Sequence, residues 1–241
     1  MSNYKRFSKR GGICHALSHS ESASDIWAVG YYTDQQTQAG SGSLTLHWNG
    51  TTWSQVSNPG NTHLNGVTAI SSNNVWAVGD YTTQQNQYGP LILHWDGTRW
   101  SIVPSHGSGT LAAVTTISAN DIWAVGYELS VYYYYTVTEH WNGKTWSQVS
   151  SPNPYHSGDI FYGVAALSST SVWAVGYTSG EPLVEKWNGT RWTVVPTANV
   201  NTFDQFQAAA TIPATGDVWA VGYSLQNSSV GRTLTEQCRG C

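Results

Sequence analysis

Residues 66–103 read GVTAISSNNVWAVGDYTTQQNQYGPLILHWDGTRWSIV, and the alternation inside this stretch decides the fold. Apolar and polar residues alternate at 66–70, a polar turn follows at 71–74, and a second run begins at 75–79. A period of two between turn residues is a strand signature, because successive side chains leave a strand on opposite faces. Past a variable polar segment, residues 91–95 form a third strand and 98–103 a fourth. The Asp96-Gly97 step between them is a hairpin signal: a type I′ turn needs positive φ at both central residues, which Gly, Asn and Asp tolerate best.

The same unit recurs along the chain. WAVG begins at Trp27, Trp76, Trp123, Trp173 and Trp219, and a second phrase follows the first four copies as HWNGTTW (47–53), HWDGTRW (94–100), HWNGKTW (140–146) and KWNGTRW (186–192). Insertions fall between the phrases, not inside them. Asn49-Gly50, Asn142-Gly143 and Asn188-Gly189 repeat the turn, and no segment carries a useful helical period. One four-stranded unit cannot bury both faces, so stacking of neighbours around an axis is the stable solution.

The expectation is therefore an all-β protein, a five-bladed β-propeller of four-stranded antiparallel blades, in one domain spanning 1–241. The blades are read as approximately 12–56, 57–103, 104–149, 150–195 and 196–241. The last copy reaches LTEQCRGC (234–241) and stops before a fourth strand, while residues 4–11 (YKRFSKRG) align with 53–60 (WSQVSNPG). On this reading residues 1–11 complete the last blade and close the ring. A fragment of a larger propeller is the alternative.

The repeated WAVG … HW[ND]GTxW phrases resemble those of Asp-box (BNR) and kelch-like propellers of bacterial repeat proteins, over nearly the whole chain. The resemblance implies fold more than function. Trp48, Trp95, Trp141 and Trp187 stand where an Asp-box would carry its Asp, so sialidase-type activity does not carry over.

Composition narrows the partners. The 241 residues include 24 Gly, 13 Trp and 14 Tyr with only 10% charged, enough chain for a substantial core without a disulfide framework. Lys5, Arg6, Lys9 and Arg10 hold four of the ten basic residues, which leaves six basic against fourteen acidic side chains elsewhere. Such a body disfavours phosphate backbones, so no nucleic acid is expected. No run of about 20 apolar residues exists to insert into a membrane, and the basic start has no apolar segment after it that would mark a signal peptide. A soluble monomer is expected, with an extracellular or cell-surface location compatible but unassigned.

Candidate chemistry must break the repeat, because a nucleophile or acid is needed once and not five times. All thirteen Trp are repeat positions and read as packing between blades. His47, His94 and His140 read as strand histidines, since Lys186 and Gln237 interrupt the set. Cys238-x-x-Cys241 with Cys14 and His15 has zinc-like ingredients, but one pair at a terminus is weak. No metal and no cofactor are expected. Glu139, Glu185 and Glu236 share one strand position where earlier blades have Leu46 and Leu93, and read as solvated or edge groups rather than a glycosidase pair. No catalytic residue is assigned.

The variable segments between strands two and three, and between blades, emerge on one face. Tyr88, Tyr132, Tyr133, Tyr134, Tyr155 and Tyr162, joined by His106, His156 and Asp159, concentrate there or at its edges. Aromatic rings stack on sugar C–H faces while amides and carboxylates bind hydroxyls. The face is therefore read as non-catalytic and lectin-like, binding a glycan or a protein partner. Tyrosines packed across the pore, or a glycoside hydrolase of sialidase type, are the competing readings.

Overall fold

The computed structural model describes residues 18–22, 24–33, 41–60, 63–82, 88–155, 158–198, 203–226 and 230–240, and no helix occurs among them. Five antiparallel sheets follow one another in chain order. The first holds β1 (Ser18–Ser22), β2 (Asp25–Thr33), β3 (Ser41–Trp48) and β4 (Trp53–Val56). The second holds β5 (His63–Ser71), β6 (Asn74–Thr82), β7 (Tyr88–Trp95) and β8 (Trp100–Ile102). The third holds β9 (Thr110–Ser118), β10 (Asp121–Ser130), β11 (Tyr133–Trp141) and β12 (Trp146–Gln148). The fourth holds β13 (Ile160–Ser168), β14 (Ser171–Thr178), β15 (Glu181–Trp187) and β16 (Trp192–Val194). The fifth has three strands, β17 (Phe203–Ile212), β18 (Asp217–Gln226) and β19 (Val230–Cys238).

The WAVG strand is interior to each sheet, and in the second, third and fourth sheets its two faces meet two neighbours. Trp27 and Val29 of β2 pack onto Val75, Ala77 and Leu93 of the second sheet. Trp76 and Val78 meet Ile122, Ala124 and Trp146 of the third, and the same relation joins the third to the fourth and the fourth to the fifth. Each junction is thus a largely apolar layer, and burying one large side chain within it contributes about 1.5–3 kcal/mol. The tryptophans interlock across these layers. Trp76 lies 5.0 Å from Trp141 and 5.6 Å from Trp146, and Trp123 lies 4.8 Å from Trp187 and 5.3 Å from Trp192 (ring centroids).

Histidine braces three of the five WAVG tryptophans from its own sheet, which gives the repeated HW phrase a packing role. His47 stacks on Trp27 at 4.5 Å, and His140 on Trp123 at 4.5 Å. Their Nε2 atoms bond Asp25 and Asp121 at 2.8 Å. Where the histidine is missing, Lys186 Nζ sits 4.8 Å over the Trp173 ring.

The inner strands β5, β9, β13 and β17 run side by side around a channel lined by small residues such as Val67, Ala113, Ala165 and Ala208. Gly163 permits that approach, since a Cβ there would lie 2.8 Å from the Ala208 Cα.

Three expectations need revision. The Asn-Gly and Asp-Gly hairpins are four-residue loops rather than two-residue I′ turns, because pairing ends at Trp48↔Trp53 and Trp95↔Trp100. Only the glycine takes positive φ (Gly97, 93°), while the Asp96 carboxylate accepts the Thr98 and Arg99 amides at 2.8 and 2.9 Å. The strands also run further than alternation suggests: β7 starts at Tyr88 and β11 at Tyr133, so those tyrosines belong to strand ends and not to loops. Lastly, Glu139 and Glu185 are fully buried and Glu236 is half-buried, because their strand face turns toward the adjoining sheet and not toward water.

The closing strand expected at residues 1–11 lies outside the described residues, among which no sheet joins the first to the fifth. The outward face of the fifth sheet leaves Trp219 36% and Val221 42% exposed, against 1–5% for Trp27, Trp76, Trp123 and Trp173. Cys238 is disulfide-bonded, which removes its thiolate from the zinc-like set; Cys14 and Cys241 lie outside the described residues.

Candidate functional site

The position after WAVG carries Tyr31, Tyr127, Tyr177 and Tyr223 in four sheets and Asp80 in the second. Strand register places a residue of the inner strand opposite four of them: Thr110 faces Tyr127, Ile160 faces Tyr177, Gln205 faces Tyr223, and His63 faces Asp80. The tyrosine repeat is therefore broken at Asp80, whose cross-strand partner is His63. His63 Nδ1 and Asp80 Oδ2 are bonded at 3.2 Å. Asn65 Nδ2 reaches Asp80 Oδ1 at 3.5 Å and donates to the Leu111 carbonyl of the next sheet at 3.0 Å.

This pair lies in a cavity of about 400 Å³ at the end of the molecule where second strands turn into third strands. Tyr31 of the first sheet, Tyr88 of the second, and Tyr127, Leu129 and Tyr134 of the third form its apolar walls. Tyr31 meets the His63 ring edge-on at 4.4 Å, and Tyr127 meets Tyr134 edge-on at 5.5 Å. Backbone bonds hold the walls together, since Gly109 N donates to the Tyr88 carbonyl at 3.1 Å and Asp159 N to the Tyr134 carbonyl at 3.0 Å. Asp80 is 5% exposed, so its carboxylate sits at the protein floor of the site.

The Tyr127 and Tyr162 phenols are hydroxyl donors and not phenolates. Burial raises the Tyr127 hydroxyl, with the Asp80 charge adding to it, and burial pushes Tyr162 up to about 12 with Tyr127, Tyr223 and Tyr177 reinforcing it. Tyrosine rings continue around the axis beyond the cavity: Tyr162 lies 6.4 Å from Tyr127, and Phe203 stands between Tyr177 (5.1 Å) and Tyr223 (6.1 Å).

The residues singled out from sequence divide accordingly. Tyr88 and Tyr134 line the cavity, and Tyr162 touches its wall through Tyr127. Tyr132 and Tyr133 sit at the β10–β11 hairpin tip, 84% and 48% exposed, beside Val131 with φ of 55°. Tyr155 is exposed, its hydroxyl donating to Glu181 at 3.3 Å, and the Glu181 charge, with that bond, raises the phenol's pKa. Asp159 is fully buried and accepts a bond from Thr178. His106 is exposed on the segment entering the third sheet, near Glu139, and His156 lies outside the described residues.

Sequence reasoning missed Tyr31, His63, Asn65, Asp80 and Tyr127, although the break at Asp80 in the WAVG-Tyr column was available to find it. The buried glutamates are not part of the cavity. Burial raises the Glu139 carboxyl against an opposing bond from Ser105 Oγ at 2.6 Å, and burial pushes Glu185 up to about 9 with Asp159 adding to it.

No protein family matches the chain, and no curated protein does. Solved structures do resemble it. YCF48 bound to D1 peptide is 15% identical with a TM-score of 0.53, over 93% of this chain and 68% of that one. The SapL1 lectin in complex with alpha methyl fucoside is 14% identical with a TM-score of 0.57, over 90% and 77%. An ulvan lyase of polysaccharide lyase family PL25, bound to -[GlcA(1-4)Rha3S]-, is 10% identical with a TM-score of 0.60, over 93% and 64%. The fold is that of a β-propeller. At these identities the likeness establishes the architecture alone, and each sheet is hereafter a blade.

Proposed function

We propose that this propeller is a non-catalytic carbohydrate-binding protein whose site is the tyrosine-walled cavity of the first three blades. One observation carries the reading: Asp80, the departure from tyrosine in its repeat column, meets His63 on the cavity floor beside Asn65. Imidazole, carboxylate and carboxamide are the groups that bind sugar hydroxyls, and four phenol rings offer faces to sugar C–H bonds. The lectin neighbour bound to a methyl fucoside supports the class of ligand.

Hydrolysis is disfavoured because glycosidases use two carboxyl groups about 5–9 Å apart, and Asp80 is the sole carboxylate among the described lining residues. A second reading, recognition of a protein, is supported by the exposed Leu129, Val131, Tyr132 and Tyr133 on one hairpin and by the peptide held by YCF48. The kinship with Asp-box and kelch-like propellers and a monomeric state belong to the same proposal.

Ring closure is also part of it, with residues 1–11 supplying the fourth strand that the fifth sheet lacks among the described residues and the first blade covering the exposed Trp219–Val221–Tyr223 face. A glycan array probed with the wild type, beside Tyr31→Ala and Tyr127→Ala, tests the site. Signal with the wild type and loss in both variants is expected. A blank array together with turnover of chromogenic glycosides would reverse the assignment.

A further inference from the structure

The geometry points to His63 as the residue that reads the ligand: its Nε2 accepts the hydrogen of a free sugar hydroxyl, and Asp80 is the positioning residue that keeps that nitrogen unprotonated. This rests on the carbohydrate reading above. The contrast with the strand histidines is the starting point. His47, His94 and His140 bond Asp25, Asn74 and Asp121 through Nε2 at 2.8, 2.9 and 2.8 Å. His63 is turned the other way, with Nδ1 on Asp80 Oδ2 at 3.2 Å, and its Nε2 has no hydrogen-bond partner among the described residues.

Hydrogen-bond chemistry places the proton. A carboxylate only accepts, so the proton shared with Asp80 belongs to Nδ1, and the neutral ring then carries its lone pair on Nε2. Asp80 is 5% exposed and also takes the Asn65 amide at Oδ1, so it acts on a ligand through His63 and not by contact. The His63 side chain is 33% exposed, lines the cavity and is held edge-on by Tyr31. At this register the third, fourth and fifth blades carry Thr110, Ile160 and Gln205, none of which offers an imidazole. An acceptor set among phenol rings selects a ligand that donates. A free hydroxyl pairs with Nε2, whereas a methyl ether or a deoxy position leaves the lone pair unsatisfied.

Long-range proton–nitrogen NMR of the intact labelled chain at about pH 8, where an ordinary histidine is neutral, reads the tautomers directly. The His63 proton is expected on Nδ1, whereas His47 and His140 carry theirs on Nε2. Titration with methyl α-L-fucoside, methyl β-D-galactoside and the strongest glycan of the array is expected to shift the His63 Nε2 resonance to saturation. In Asp80→Asn, checked for folding by circular dichroism, the new carboxamide is expected to turn its oxygen to the Asn65 amide and its nitrogen to Nδ1. The ring proton then moves to Nε2, and affinity falls about tenfold. Should that variant not fold, the wild-type tautomer and the Nε2 shift decide alone. A proton on Nε2 in the wild type, or glycan binding that leaves His63 Nε2 unmoved, overturns the proposal and leaves carbohydrate binding standing. Wild-type tautomer and affinity in Asp80→Asn overturn the positioning role. No saturable shift with any sugar, together with a blank glycan array, overturns this proposal and the carbohydrate reading alike.

Discussion

Trp27 of the first blade meets Trp100 of the second edge-on, with ring centroids 5.1 Å apart and planes at 90°. Equivalent contacts at Trp76–Trp146 and Trp123–Trp192 make one tryptophan arrangement serve three junctions. Aromatic pairs in this geometry contribute about 0.5–1.5 kcal/mol beyond the area they bury. The blades therefore depend on their neighbours for stability, and the cavity depends on the blades.

Removing one such ring opens a cavity in a closed layer. Trp146 is 1% exposed, so Trp146→Ala is expected to cost about 3–5 kcal/mol, read as a lowered urea midpoint. A change below about 1 kcal/mol would remove the interlocked tryptophans as the source of blade cohesion.

Trp219 reports on closure. With the fifth blade covered as proposed, Trp219→Ala destabilises as much as Trp173→Ala, by several kcal/mol in the same denaturation assay. A cost near that of an ordinary surface substitution, about 0.5 kcal/mol, would mean an open face.

The Glu185 carboxyl, fully buried and pushed up to about 9, makes stability depend on pH. Its folded-state value exceeds the unfolded one, so the folded state holds a proton that the unfolded state releases first. The associated stability is complete below the unfolded carboxylate range and is lost as pH rises toward 9. Wild-type protein is expected to be less stable at pH 8 than at pH 6. Glu185→Gln, which keeps the shape without the charge, is expected to flatten that slope and to stabilise the fold at neutral pH by up to about 3 kcal/mol. Parallel pH profiles for the two proteins would show that Glu185 does not hold the proton.

His140 braces Trp123 where Lys186 braces Trp173. His140→Lys is therefore expected to change stability by about 1 kcal/mol or less, with no response to added zinc or chelator in a thermal melt. A large loss rescued by zinc would point to a metal role for the histidines.

How much was legible in the sequence follows from the range of each signal. WAVG and HW[ND]GTxW are local phrases repeated in register, and strand count, blade order and tryptophan packing follow from them directly. The turns at Asp96 and Asn142 were identified as turns but not by type, because loop length depends on where Trp95↔Trp100 and Trp141↔Trp146 pairing stops. Glu139 and Glu185 were misjudged since alternation assigns a residue to a face without saying what covers that face. The cavity was the least visible: Tyr31, Asp80 and Tyr127 belong to three blades, and only packing around the axis brings them together.

Backbone amide NMR, recorded while the strongest array glycan is titrated into labelled protein, tests the central assignment most directly. The account predicts that resonances of Tyr31, His63, Asn65, Asp80, Gly109 and Tyr127 shift together and saturate with one affinity. Shifts confined to the channel residues at 113–116 and 163–166, or to the turns at 49–52 and 96–99, would contradict it.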